Sequence, residues 1–219
     1  MLDLSLYIIF DEKYIGSPQS TVHSPLATLI TDICKGGASV IQLREKTQET
    51  KKFMEDALIA REITKKFNVP FIVNDRIDIT LTVEADGVHL GNEDIPLNYA
   101  RKILGNRIIG YSVSGVQEAI EAAKQGAGYL GVGCLFPSTT KSKPLIPLSL
   151  IAEIKEAVNI PVLGIGGITL ERVPDVLSAG ADGICVASDI FNYPNLLERV
   201  REFKSKIQSL KNETTDYTD

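Results

Sequence analysis

Short apolar runs, each closed by a small or polar cluster, recur eight times along the chain: Leu4–Phe10, Ser39–Leu43, Pro70–Val73, Gly87–Leu90, Arg107–Gly110, Gly128–Gly133, Pro161–Ile165 and Gly183–Val186. Runs that are apolar throughout, rather than alternating, suit strands of a parallel sheet covered on both faces. The stretches between them carry helical periodicity and predict helices over Pro25–Lys35, Glu49–Phe67, Ile77–Val83, Pro96–Leu104, Gly115–Lys124, Ser149–Val158, Leu170–Ser178 and Asn195–Leu210. In the second of these, Phe53, Ala57, Ile59-Ala60 and Ile63 fall on one side, and Thr47 is a candidate cap. Asp11–Ser24, which holds Gly16 and Pro18, reads as a loop. Eight strand–helix units in a chain of this length are what a closed (β/α)8 barrel requires. The expected fold is therefore α/β, a single TIM-barrel domain over residues 1–210, followed by a polar tail at 211–219 expected to be disordered.

Two segments echo each other, Glu84-Ala85-Asp86-Gly87-Val88 and Ala179-Gly180-Ala181-Asp182-Gly183-Ile184, with Gly126-Ala127-Gly128-Tyr129 as a weaker third. Each lies between a helix end and the next strand, where small residues and glycine allow a tight turn. They read as structural punctuation, not as a ligand site.

Composition narrows the function classes. The chain has 219 residues and a net charge of −5 with scattered basic residues, so no nucleic-acid surface is indicated. No apolar window approaches the length of a membrane span, and Met1-Leu2-Asp3-Leu4 lacks the basic segment of a signal peptide. Cys34, Cys134 and Cys185 are odd in number and far apart, which reads as buried reduced thiols and a cytoplasmic protein. With two histidines there is no zinc spacing. An oligomer is compatible with the sequence, which carries no readable mark of it.

In a parallel barrel the residues just past the strand ends converge on one mouth. Here those residues are Gln42-Leu43-Arg44-Glu45-Lys46, Asn74-Asp75, Asn92-Glu93-Asp94, Ser112, Pro137-Ser138-Thr139-Thr140-Lys141, Gly166-Gly167 and Ala187-Ser188. Cations, carboxylates, hydroxyls and glycines form a kit for a phosphorylated substrate with a metal. Asp75 and Asp94 are the candidate Mg2+ ligands, because magnesium takes a few carboxylates together with waters and phosphate oxygens. Each could instead cap the helix that follows it, and Glu93 competes with Asp94. Arg44, Lys46 and Lys141 can neutralise a leaving diphosphate, Arg bidentately and Lys as a point charge. Gly166-Gly167 and Ser188 lie after strands seven and eight, where this architecture often binds phosphate through backbone N–H groups. His89, within the fourth run, reads as a hydrogen-bonded structural histidine. No nucleophile–base pair is visible.

With these residues in order, the sequence resembles the thiamine-phosphate synthase family. The matching motifs are Gln42-Leu43-Arg44-Glu45-Lys46, Val73-Asn74-Asp75-Arg76, Ala85-Asp86-Gly87-Val88-His89-Leu90-Gly91, Ile109-Gly110-Tyr111-Ser112, Gly131-Val132-Gly133 with Phe136-Pro137-Ser138-Thr139-Thr140-Lys141, and Ile165-Gly166-Gly167-Ile168. The resemblance implies a (β/α)8 barrel that joins a hydroxymethylpyrimidine diphosphate to a thiazole phosphate and releases pyrophosphate. By position it implies that Gln42, Arg44, Lys46, Asn74, Ser112 and Lys141 hold the pyrimidine diphosphate, with Leu43, Glu45 and Thr139 in the same segments. It further implies that Asp75 and Asp94 bind Mg2+, and that Ser138, Thr140, Gly167, Ala187 and Ser188 hold the thiazole phosphate. Arg44, Lys46, Ser112 and Lys141 are the expected catalytic set. The implied reaction is dissociative, needing charge stabilisation and positioning but no protein nucleophile. The chain departs from the family pattern at Asn92, Ser138 and Ala187, and in the Lys143-Pro144-Leu145 that follows Lys141. The segment Pro137–Pro147 is the expected lid. Two other readings stay open: a thiazole tautomerase on the same fold, and a catalytically silent barrel that binds a phosphorylated ligand.

Overall fold

The computed structural model describes residues 2–14, 26–137 and 144–215. Eight parallel strands close into a barrel: β1 (Leu6–Asp11), β2 (Val40–Arg44), β3 (Phe71–Asn74), β4 (Gly87–Leu90), β5 (Ile108–Val113), β6 (Tyr129–Val132), β7 (Val162–Ile165) and β8 (Gly183–Val186). Neighbours in sequence pair in register, and β8 returns to β1 through Tyr7↔Cys185. Helices α1 (Leu26–Gly36), α2 (Thr50–Phe67), α3 (Ile77–Thr82), α4 (Leu97–Leu104), α5 (Val116–Lys124), α6 (Ser149–Ala157), α7 (Val173–Ser178), α8 (Ser188–Phe191) and α9 (Leu196–Thr215) follow the strands. Among the described residues no helix is long and apolar enough to cross a membrane.

Both faces of the strands are buried, which is why the sequence runs are apolar without alternation. The outward set, including Ile8, Ile41, Val73 and Val88, packs under the helices in one large core. The inward set, Tyr7, Ile9, Val40, Ile72, Tyr129, Leu163 and Cys185, fills the barrel axis. Helices present matching stripes: α2 buries Phe53, Ala57, Ala60 and Ile63.

Several boundaries differ from the sequence expectation. The strand β1 runs on to Asp11, where the sequence pattern starts a loop, because Asp11 pairs with Arg44 in the ladder. Likewise β5 extends to Val113 and takes Ser112 into the strand. Thr47 does not cap α2; Glu49 holds that position with extended backbone and no side-chain cap bond. The short helix α8 was not anticipated; it buries Ile190 and Phe191, and Phe191 meets Phe10 edge-on and stacks on Tyr14. The tail expected to be disordered from residue 211 is helical through Thr215. There α9 continues past the buried Ile207, and the Ser209 hydroxyl bonds the Glu213 carboxylate one turn on at 3.2 Å.

The two echoed segments do the same job at the base of the barrel, opposite the mouth. The Asp86 carboxylate accepts from the Phe71 N–H (2.8 Å) and from Arg61 (2.7 Å), tying the start of β3 to the turn before β4. Asp182 accepts from the Val162 N–H (2.7 Å) and from Lys155 (2.8 Å), tying β7 to β8 in the same way. The first N–H of a barrel strand is thereby satisfied by a charge-assisted bond. Asp182→Ala is expected to lower the unfolding free energy by about 1–2 kcal/mol and leave turnover unchanged. Urea unfolding beside a steady-state assay checks this, and lost activity at unaltered stability would contradict it.

Candidate functional site

The site is built from inward-facing residues at the C-terminal ends of the strands. The register Asp11↔Arg44 sets the last residues of β1 and β2 side by side. The Arg44 guanidinium bonds Asp11 Oδ2, and Asp11 Oδ1 also accepts the Lys13 N–H at 3.2 Å. Arg44 Nε is buried with no hydrogen-bond partner among the described residues. A buried unsatisfied donor is costly. Asp11 is the residue that the sequence reading missed. Its only sequence signal is an acid closing an apolar run, which reads equally as the start of a loop.

Past β2, the Lys46 ammonium reaches across to the Asp75 carboxylate. Asp75 follows β3 with φ of 62°, a left-handed conformation that aspartate tolerates, and its N–H bonds the His89 carbonyl at 2.9 Å. The alternative role of helix cap is not taken up. The residue before α3 is Arg76, which makes no side-chain cap bond, and α4 starts after Pro96. Asp94 instead accepts the Gly91 N–H at 2.7 Å, and this turn sets its carboxylate near enough to Asp75 to feel that charge. Glu93, the competing acid, is exposed.

Two neighbouring carboxylates raise the question of what neutralises them. Among the described residues no group of three or more His, Cys, Asp or Glu gathers. Two carboxylates fit magnesium nonetheless, since that ion usually completes its shell with waters and substrate phosphate oxygens. Burial pushes the Asp94 carboxyl above its ordinary 3.8; the Gly91 N–H pulls it down, and the Asp75 charge pushes it up again.

Deeper in the barrel, Gln42 Nε2 donates to Tyr7 Oη (2.8 Å), and the Tyr7 and Tyr129 hydroxyls are 2.8 Å apart. His89 joins Tyr129 Oη through Nδ1 (3.1 Å) and Ser112 Oγ through Nε2 (2.9 Å). Burial raises both phenols above their ordinary range, so they are protonated hydroxyls at neutral pH. Gly110 makes the space: a Cβ there would overlap the Tyr129 ring and lie 2.5 Å from His89 Nδ1. Asn74, at the end of β3, is buried and pairs in register with His89.

Not every expected residue faces the mouth. The Leu43 side chain lies in the outer core with Ile41 and Phe53, because parity turns it away from Gln42 and Arg44. Its side chain therefore does not reach the mouth. Glu45 is buried. Ser138, Thr139, Thr140 and Lys141, with most of the expected lid, lie outside the described residues.

On the far side, the register Ile165↔Cys185 sets the ends of β7 and β8 together, and Gly167, Ala187 and Ser188 follow there. Gly167 has φ of 62°, and a Cβ on it would lie 2.7 Å from the Phe136 carbonyl oxygen, so only glycine fits. Arg172 holds the Gly167 carbonyl at 2.6 Å and lies over the Phe136 ring. The mouth thus has a charged side at β2–β4 and a small-residue side at β7–β8.

A parallel (β/α)8 barrel with a cation-and-carboxylate cluster facing a glycine-lined strand end has the plan of a barrel enzyme with its site at the C-terminal face of the strands. Residues 6–190 match the family model described as thiamine monophosphate synthase. A thiamine-phosphate synthase of Chloroflexus aurantiacus is 38% identical over 209 residues, covering 94% of each chain. One from Clostridium novyi is 44% identical over 192 residues, covering 86% of this chain and 91% of the relative. The solved thiamine phosphate pyrophosphorylase of Pyrococcus furiosus superposes with a TM-score of 0.85 at 35% identity, covering 95% of this chain and 98% of that one. The chain belongs to the thiamine-phosphate synthase family.

A carboxyl whose folded pKa is raised costs stability once ionised, and that cost disappears as pH falls through the raised pKa. Asp94→Asn is therefore expected to raise the Tm of the metal-free protein by about 2 °C at neutral pH, the exposure of the pair keeping the gain small. The difference from wild type should shrink on acidification toward the ordinary carboxylate range. Thermal melts across that pH range check it; a variant less stable at neutral pH would contradict it.

Proposed function

We propose that this chain condenses 4-amino-2-methyl-5-hydroxymethylpyrimidine diphosphate with a thiazole phosphate, giving thiamine phosphate and pyrophosphate in thiamine biosynthesis. The observation that carries the reading is the convergence of Arg44, Lys46, Asp75 and Asp94 at the ends of β2, β3 and β4, with the buried Arg44 Nε lacking a partner among the described residues. Cations and paired carboxylates at one place suit a diphosphate carried with magnesium.

In this reading Asp75 and Asp94 hold Mg2+, which supplies positive charge to the diphosphate. Arg44, Lys46 and Lys141 bind the diphosphate oxygens, and Gln42, Asn74 and Ser112 orient the pyrimidine. Asp11 holds Arg44 in place. Lys46, which touches Asp75, turns to the diphosphate when it arrives. The bond from the pyrimidine methylene carbon to the diphosphate oxygen breaks with its electron pair leaving on pyrophosphate. The cation that remains is stabilised by the aminopyrimidine ring, and the thiazole nitrogen attacks it. Ser138, Thr140, Gly167, Ala187 and Ser188 hold the thiazole phosphate so that its nitrogen faces that carbon. No protein nucleophile is required, and burial pushes the Cys34 thiol up to about 12 and raises Cys185 as well. The substrates are small molecules, and a cytoplasmic setting, where buried thiols stay reduced, goes with the reading.

The test mixes the protein with both substrates and magnesium and follows pyrophosphate and thiamine phosphate. Product is expected, and a chelator should abolish it. Asp75→Ala should lower kcat at least a hundredfold with the fold intact, since no core volume is removed and alanine in the left-handed turn costs only about 1–2 kcal/mol. Full activity in Asp75→Ala would put the metal elsewhere. No condensation, but isomerisation of a thiazole carboxylate phosphate, would replace the reading with the tautomerase.

A further inference from the structure

Five polar side chains form one hydrogen-bonded file beneath the mouth, running Gln42, Tyr7, Tyr129, His89, Ser112. The two ends, Gln42 and Ser112, are residues that the proposed function gives to the pyrimidine diphosphate. The three in the middle touch no substrate in that reading, yet Tyr7 and Tyr129 are essentially fully buried and His89 is 9% exposed. Side-chain chemistry sets the direction of the file. The Gln42 amide nitrogen only donates, so the Tyr7 oxygen accepts there and gives its single proton to Tyr129. The Tyr129 oxygen, accepting from Tyr7, directs its own proton to His89 Nδ1. A neutral imidazole whose Nδ1 accepts carries its proton on Nε2. That N–H donates to Ser112 Oγ. Ser112 accepts from below, so its hydroxyl proton is left for an acceptor above. Hydrogen bonds aligned head to tail also polarise one another in a low-dielectric interior.

We infer that His89 and Tyr129 are positioning residues, holding the imidazole as its Nε2–H tautomer and thereby turning the Ser112 hydroxyl proton outward to an acceptor atom of the pyrimidine diphosphate. The inference rests on the synthase reading for the identity of that acceptor, but the tautomer is a property of the protein alone. The narrowness of the space supports a fixed arrangement, since Gly110 leaves room for the Tyr129 ring and His89 Nδ1 and for no added Cβ.

The chain has two histidines, so His23→Gln leaves His89 as the single imidazole for 15N spectroscopy of the full-length protein. Should that variant fail to fold, the wild-type ring signals are separated by subtracting those of His89→Asn. One unprotonated Nδ1 and one protonated Nε2 are expected at neutral pH. A proton on Nδ1, or on both nitrogens, overturns the inference. Tyr129→Phe removes the donor to Nδ1 and should shift the ring signals toward a tautomer mixture. It should also lower kcat/KM for the pyrimidine diphosphate about tenfold, the worth of one well-placed hydrogen bond, with KM for the thiazole phosphate unchanged. Added to Ser112→Ala, it should cost nothing further; additive losses would make Tyr129 a packing residue only and overturn the relay. The two readings fail separately. A wild-type protein that does not condense the substrates defeats the synthase reading while the ring spectrum still decides the tautomer. Turnover with an Nδ1-protonated ring defeats the relay alone.

Discussion

Closing eight parallel strands into a barrel forces every second side chain toward the axis, and the composition of the mouth follows from that steric rule. On β1 the inward positions are Tyr7, Ile9 and Asp11, and on β2 they are Val40, Gln42 and Arg44. The last inward residue of each strand lies at the mouth, while the one before it lies a layer deeper. This is why Arg44 belongs to the charged rim, Gln42 to the buried file and Leu43 to the outer core. A one-residue slip of β2 would exchange these roles, so the same hydrophobic pattern that buries the strand specifies the site.

The two ends of the barrel are divided between chemistry and stability. At the base, Asp86 and Asp182 each take one strand N–H and one cation, an arrangement in which every charge has its partner. At the mouth, Asp75 and Asp94 stand against each other, and an arginine donor is buried unsatisfied among the described residues. Such frustration costs stability locally, and in the proposed reading metal and diphosphate relieve it. Lys46 on Asp75 and Asp11 on Arg44 moderate it.

Local pattern made most of the architecture legible. All eight strands appear where apolar runs predicted them, and α2 begins and ends within a residue of its expected bounds, because continuous burial and helical periodicity are local properties. Arg44, Asp75, Gln42 and Ser112 were recognisable as strand-end polar residues in family motifs, and Asp94 as an acid just past the fourth run. Asp11 was not, because a single acid after an apolar run reads as the start of a loop until its ladder partner is known. The helix α8 and the last turn of α9 were missed for a related reason: four residues carry too little periodicity, and exposed polar residues at a chain end resemble a tail.

What the sequence by itself determined was the barrel, its strand order and the inventory of charges at the strand ends, because these follow from spacing and residue type. Only the tertiary structure decided which of those residues meet. Asp94 over Glu93 at Asp75, Asp11 at Arg44, and Tyr7, Tyr129 and His89 in one file between Gln42 and Ser112 are contacts between strands far apart in the chain. They depend on register and inward parity around a closed sheet, and no local pattern encodes that closure.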